Sequence, residues 1–306
     1  MTMHFSELAS QTAADGTISA EEILILRRAS WANGTIEAGE ADAIFAVNDR
    51  VTTANEAWIE YFIEALTEFV VNGSEPRGFI DEVRADWLIA RIDHDGRLDS
   101  LAELELLTKV LEKAANAPGR LKDYALAQIE RAVLTGEGPT RRGMLQSGCI
   151  TADEARLLRR VLFAQAGDRP AGVSRIEADL LFRIKDASLG GANAPEWKQL
   201  FVQGVGNYLT AYVSYEPLSR ERAAELEEFM NRPSGGVGEF FARAARISRG
   251  GGFRGVFAQR STHDYDAEIA AANAITDDEQ SWLDARIEAD GQLDEYEQAL
   301  LDFLKT

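Results

Sequence analysis

The sequence predicts an all-α protein built of two tandem, pseudo-equivalent bundles of short helices, and three observations carry that prediction. Four blocks recur in the same order in the two parts of the chain. A helix-start signature recurs along both parts, and the apolar residues follow helical rather than alternating spacing. Strands have little support in this pattern.

The repeat comes first, because a missed repeat misreads a whole fold. Ile18 to Arg28 (ISAEEILILRR) matches Ile150 to Arg160 (ITADEARLLRR) at six of eleven positions. Glu40 to Asp49 (EADAIFAVND) matches Glu177 to Asp186 (EADLLFRIKD) at five of ten. The segment beginning at Trp58 aligns with that beginning at Trp197, pairing Phe62 with Phe201 and Phe69 with Tyr208. Trp87 to Leu101 (WLIARIDHDGRLDSL) matches Trp282 to Tyr296 (WLDARIEADGQLDEY) at nine of fifteen.

The offsets between copies are 132, 137, 139 and 195, so the last step adds 195 − 139 = 56 residues to the second copy. This divides the chain into a first module at 1–117, a connector at 118–148, and a second module at 149–306 with an insertion at about 211–270. In the connector, Leu121, Tyr124, Ile129 and Val133 mark one helical face before GEGPTRRG breaks it.

The helix starts share one signature: an aliphatic residue, then Ser, Thr or an acid, then Glu three positions later. It occurs at Ser19 and Glu22, Glu37 and Glu40, Thr151 and Glu154, Ser174 and Glu177, Thr276 and Glu279, and Asp294 and Glu297. The physical reading is a capping box: the first side chain accepts from an orphan amide at the helix start, and the glutamate reaches back to the cap amide. Each cap contributes about 0.5–2 kcal/mol. A glycine before the cap, as at Gly16, Gly34 and Gly291, ends the preceding helix where φ must be positive.

The same turns also carry acids at metal-ligand spacing, since an EF-hand loop draws ligands from positions 1, 3, 5, 7, 9 and 12 around a glycine at 6. With Gly291 at position six, Glu288, Asp290, Asp294 and Glu297 fall at 3, 5, 9 and 12. With Gly96 there, Asp93, Asp95 and Asp99 fall at 3, 5 and 9, while Ala102 stands at 12. Arg286 and Arg91 stand at position 1 in the two copies, a fixed positive charge where a metal needs a carboxylate. That substitution predicts weak calcium affinity, with the arginines pairing with the loop acids as built-in cations.

On these residues the loops resemble those of EF-hand calcium-binding proteins, and the short helices joined by acidic Ala-Asp-Gly turns resemble the TerB-like tellurite-resistance domain. The loop likeness covers about a dozen residues at a time, and Gly16 and Gly34 are only 18 residues apart, so one helix serves two turns. The resemblance implies divalent-cation binding, calcium or magnesium, at Glu288, Asp290, Asp294 and Glu297 and at Asp93, Asp95 and Asp99.

Charge limits the partners. The chain holds 51 Asp and Glu against 32 Lys and Arg, a formal charge of −19, which repels nucleic acid and anionic lipid over most of the surface. Against this background Val237 to Arg260 is locally basic, and Phe240, Phe241, Arg243, Arg246, Arg249, Phe253 and Arg254 make it a candidate partner-binding segment. The competing reading is that this segment docks on an acidic face of its own chain or of a sister subunit.

No apolar run long enough for a membrane span occurs, and the N-terminal stretch has no secretory pattern. A single cysteine, Cys149, precludes an internal disulfide, so a cytoplasmic location is expected. Cys149 itself reads as a small buried residue. His4, His94 and His263 are scattered, which gives no support to a catalytic triad or a histidine-rich zinc site.

These readings point to a non-enzymatic intracellular binding or regulatory protein that engages a protein partner through the insertion or through the groove between the copies. Two alternatives stay open at this point: a calcium buffer or sensor, and a metal-assisted hydrolase using a carboxylate cluster.

Overall fold

The computed structural model describes residues 5–12, 14–32, 34–52, 54–93, 96–98, 100–141, 147–166, 172–210, 275–289 and 291–305. Twelve α-helices occur among them. The first six are α1 (Phe5–Thr12), α2 (Ala20–Ser30), α3 (Ala38–Asn48), α4 (Glu56–Asn72), α5 (Glu82–Ile92) and α6 (Leu101–Lys113). The second six are α7 (Gly119–Thr135), α8 (Ala152–Leu162), α9 (Arg175–Ser188), α10 (Pro195–Thr210), α11 (Asp277–Ile287) and α12 (Glu295–Leu304). An isolated parallel bridge joins Phe79 and Asn116.

The helices begin where the capping signature stands. Reciprocal capping boxes close at Ser19, Thr151, Ser174, Thr276 and Asp294, and Glu40 accepts from the Glu37 amide at 2.9 Å. Asn55 and Asp81 cap α4 and α5 by accepting from the amides of Trp58 and Arg84. The Asp-Gly turns take the left-handed conformation, with φ of 79° at Gly96 and 70° at Gly291. A Cβ at either glycine would meet open space, so the backbone angle and not crowding demands glycine there.

In the first six helices α4 is the hub, packing against α2, α3, α5 and α6; in the second six, α10 packs against α8, α9 and α12. The two hubs bury the same kinds of ring in the same way. Phe45 meets Phe62 edge-on at 5.3 Å and Phe182 meets Phe201 at 5.2 Å. Trp87 lies 5.5 Å from Phe45 and 4.9 Å from Phe69, while Trp282 lies 5.6 Å from Phe182 and 4.9 Å from Tyr208. Trp58 and Trp197 are completely buried. Removing so large a buried ring costs about 3–5 kcal/mol.

The polar contacts recur as well. The Trp87 indole and the Arg91 guanidinium both donate to Asp42, at 3.1 and 2.6 Å. The Trp282 indole and Arg286 both donate to Asp179, at 2.8 and 2.6 Å. The sequence expectation that these arginines pair with the acids of their own loops is therefore corrected. An arginine in the last turn of α5 or α11 points back across the bundle, where an aspartate of the neighbouring helix already holds the indole.

The stretch read as a connector is a buried helix. Leu121, Ile129 and Val133 of α7 are fully buried, and α7 packs on α8 and α9 as α1 packs on α2 and α3. It also packs on α6, and α6 packs on α8, so one contiguous apolar core runs through both sets of helices. Among the described residues no helix is long and apolar enough to cross a membrane.

Candidate binding groove between the two halves

The acidic turn at the start of α12 contains a cation from the protein itself. Asp294 caps α12, accepting from the amides of Tyr296 and Glu297, and the Glu297 carboxylate returns to the Asp294 amide at 3.1 Å. Into this pair projects Lys185 from α9. Its ammonium donates to Asp294, to Glu297 at 2.7 Å and to Asp186 at 2.8 Å, and both Lys185 and Glu297 are 1% exposed. Burial alone would push the lysine pKa down; hydrogen bonds to Asp186, Asp294 and Glu297 outweigh it and hold the pKa above the usual lysine range.

Of the remaining candidate metal ligands, Glu288 is the exposed C-cap of α11, and Asp93 ends α5, where it accepts from the Tyr124 hydroxyl at 3.2 Å. Asp95, Asp99 and Asp290 lie outside the described residues. So do all the candidate partner-binding residues of the insertion: Phe240, Phe241, Arg243, Arg246, Arg249, Phe253 and Arg254.

Two other capping glutamates of the second half are also buried against cations. Glu154 is paired with Arg141 at 2.8 Å and receives the Thr140 hydroxyl at 2.7 Å. Glu177 is paired with Lys122 at 2.6 Å, and Lys122 also donates to the Leu162 carbonyl. Thr140, Arg141 and Lys122 all come from the stretch that precedes α8. They tie it to the helix starts it covers, which the spacing of the capping motif alone does not reveal.

A concavity lies where the two halves meet. The α4 carboxylates Glu60, Glu64 and Glu68 form one wall at four-residue spacing, and Glu105, Lys109 and Lys113 of α6 form the other at the same spacing. Ile63, Thr67 and Val71 lie between them, and Arg160 of α8 also lines the groove, whose volume is about 540 Å³. The two walls end side by side, because the Gly78 amide donates to Val71 and the Ala115 amide donates to Gly78, at 2.9 and 2.8 Å.

Arg160 ties α8 to the α6 wall. Its guanidinium bonds Glu105 at 2.6 Å and Glu112 at 2.7 and 3.1 Å, which locks α8 onto α6. The same contact holds the Glu112 carboxyl below the usual carboxylate range. Arg27 takes up Glu64 at 2.5 Å from the other side. Glu60, Glu68 and Lys113 have no ion-pair partner among the described residues, so the groove keeps charges of both signs that no ion pair neutralises.

The corresponding surface of the second half is filled. Adding 139 to Thr67 gives Gly206, where a Cβ would come within 2.5 Å of the Phe303 ring of α12. Glycine there lets Phe303 lie on α10, whereas the first half has Thr67 at that position and stays open. Sequence reasoning placed a groove between the copies but named none of its residues; the four-residue charge rows on α4 and α6 were the available signal.

No protein-family model matches the chain, and no curated protein or solved structure matches it.

Proposed function

We propose that this chain is a non-enzymatic binding protein, formed by duplication of a six-helix module, that engages a protein partner in the groove lined by α4, α6 and α8. The duplication is supported by the paired ring contacts and by the Trp-Asp-Arg clamps at Asp42 and Asp179. In this reading the acidic turns are helix caps of EF-hand-like shape, and Lys185 is the internal cation of the last one. A cytoplasmic setting agrees with the single, buried Cys149.

The observation that carries the binding role is the open groove of the first half, with an apolar floor and free charges at Glu60 and Lys113. A groove of this width between two charged rows suits an amphipathic helix laid along it, apolar face down. Ionic contacts from the rims set the orientation of such a helix, and the floor contributes the affinity.

The test is site-specific cross-linking from Lys113 in cells of the native host, with Ile63→Arg and Glu60→Lys as groove variants. One cross-linked species that disappears with both variants, while the circular dichroism of the chain is unchanged, supports the groove. Deleting residues 234–259 separates the two candidate surfaces: capture should survive that deletion. Capture that survives Ile63→Arg but not the deletion rejects the groove.

A further inference from the structure

The outer face of α2 carries two large aliphatic side chains in solvent, Leu24 and Ile25, which are 52% and 48% exposed. Glu21 and Arg28 stand on the same stripe at helical spacing, and Ile23, Leu26 and Ser30 occupy the opposite, buried face. Among the described residues neither Glu21 nor Arg28 has an ion-pair partner. The stripe thus reads acid, leucine, isoleucine, base, with its charges at the two ends.

The second half shows what such a face does when it is covered. Adding 132 to Ile25 gives Leu157 of α8, which is 3% exposed, and adding 132 to Arg28 gives Arg160. That face of α8 docks on helix α6, with Arg160 held by Glu105 and Glu112. The α2 face keeps an aliphatic residue at the Leu157 position and the same arginine, but it carries Leu24 where α8 has the exposed Arg156, and it lies open.

We propose that a second copy of this chain covers it, with two α2 helices packed antiparallel about a two-fold axis. Self-complementarity selects this occupant. A two-fold axis passing between Leu24 and Ile25 sets Glu21 of one copy against Arg28 of the other, twice, while the four aliphatic side chains meet in the middle. One pair of 11-residue helices falls short of the roughly 1,200 Å² that marks stable complexes. The dimer is therefore weak and reversible, with a dissociation constant on the order of micromolar to tens of micromolar.

Sedimentation velocity of the full chain, from about 1 to about 200 µM, reads the equilibrium directly. The expected result is a monomer that converts to a dimer across this range. Ile25→Glu should raise the dissociation constant at least about tenfold, and Glu21→Arg or Arg28→Glu alone should weaken the dimer. Combining Glu21→Arg with Arg28→Glu should restore it, because the swapped charges again face their opposites. All these positions are exposed, so an unchanged melting curve will show that each variant is folded. A chain that stays monomeric at every concentration overturns the proposal, as does a dimer indifferent to Ile25→Glu or a charge swap that fails to restore association. A monomer that instead binds an acidic, leucine-rich helix of another protein also overturns it.

Discussion

The Lys185 ammonium lies 2.7 Å from the Glu297 carboxylate, and water reaches neither side chain. A buried pair of this kind contributes little beyond what an apolar pair would, but breaking it strands a charge in a poor solvent. Lys185→Met is therefore expected to destabilise the protein by about 3–5 kcal/mol in chemical denaturation. Adding Glu297→Gln to it should recover part of that loss, because the more deeply buried of the two stranded carboxylates is gone while Asp294 remains. A single variant as stable as the native chain would show that the ion pair does not bear on stability.

The same lysine bears on metal binding. A calcium ion at this turn would need Asp294 and Glu297 as ligands, and an ammonium group already donates to both. Calorimetric titration with calcium is expected to give no saturable heat from this site, and tryptophan fluorescence should stay flat because Trp282 sits at the start of the repeat block that leads into the turn. A saturable isotherm that Asp294→Asn abolishes would reverse this assignment.

Asp42 and Asp179 perform the same task in different surroundings: each takes one indole and one guanidinium. Asp42→Ala and Asp179→Ala should each cost about 1–3 kcal/mol, since either leaves a partly buried indole N–H without its acceptor. Equilibrium denaturation of the two variants tests whether the two clamps are energetically equivalent. If one substitution is silent and the other costs several kcal/mol, the two clamps do not play equivalent parts.

Much of this architecture is local in sequence and was legible there. A capping box needs only two side chains three residues apart, so the signature at Ser19, Thr151, Ser174, Thr276 and Asp294 marks the helix starts. The aromatic positions were legible for a second reason, since the two halves keep them in register. Lys185 was not: two of its partners stand 109 and 112 residues away, and its aligned residue in the first half is Asn48, which instead accepts from the Trp58 indole. Replacing that asparagine with lysine leaves the Trp197 indole without an acceptor among the described residues. Arg91 and Arg286 misled because a long side chain in a last helical turn can reach either its own loop or the next helix, and spacing does not choose between them. The groove is a property of two helices ending side by side, which follows from contacts at Gly78 that no periodicity encodes.

Tyr61 gives a pH dependence that isolates one buried group. Burial pushes its phenol up to about 12, while a hydrogen bond to Ser30 at 3.1 Å opposes that shift only in part. An acid whose folded pKa is raised is neutral in both states at low pH, so it costs nothing there. Above the unfolded value of about 10 the unfolded chain releases the proton while the folded chain retains it, and stability falls until the pH reaches about 12. Two pH units correspond to a loss of about 3 kcal/mol from this group. Lys185 loses its contribution in the same alkaline direction, as pH rises past the unfolded lysine value toward its raised folded one. Tyr61→Phe removes the phenol alone, so its stability should fall less steeply than that of the native chain between pH 10 and 12. Parallel curves for the two proteins in urea denaturation would show that Tyr61 ionises without hindrance in the folded state.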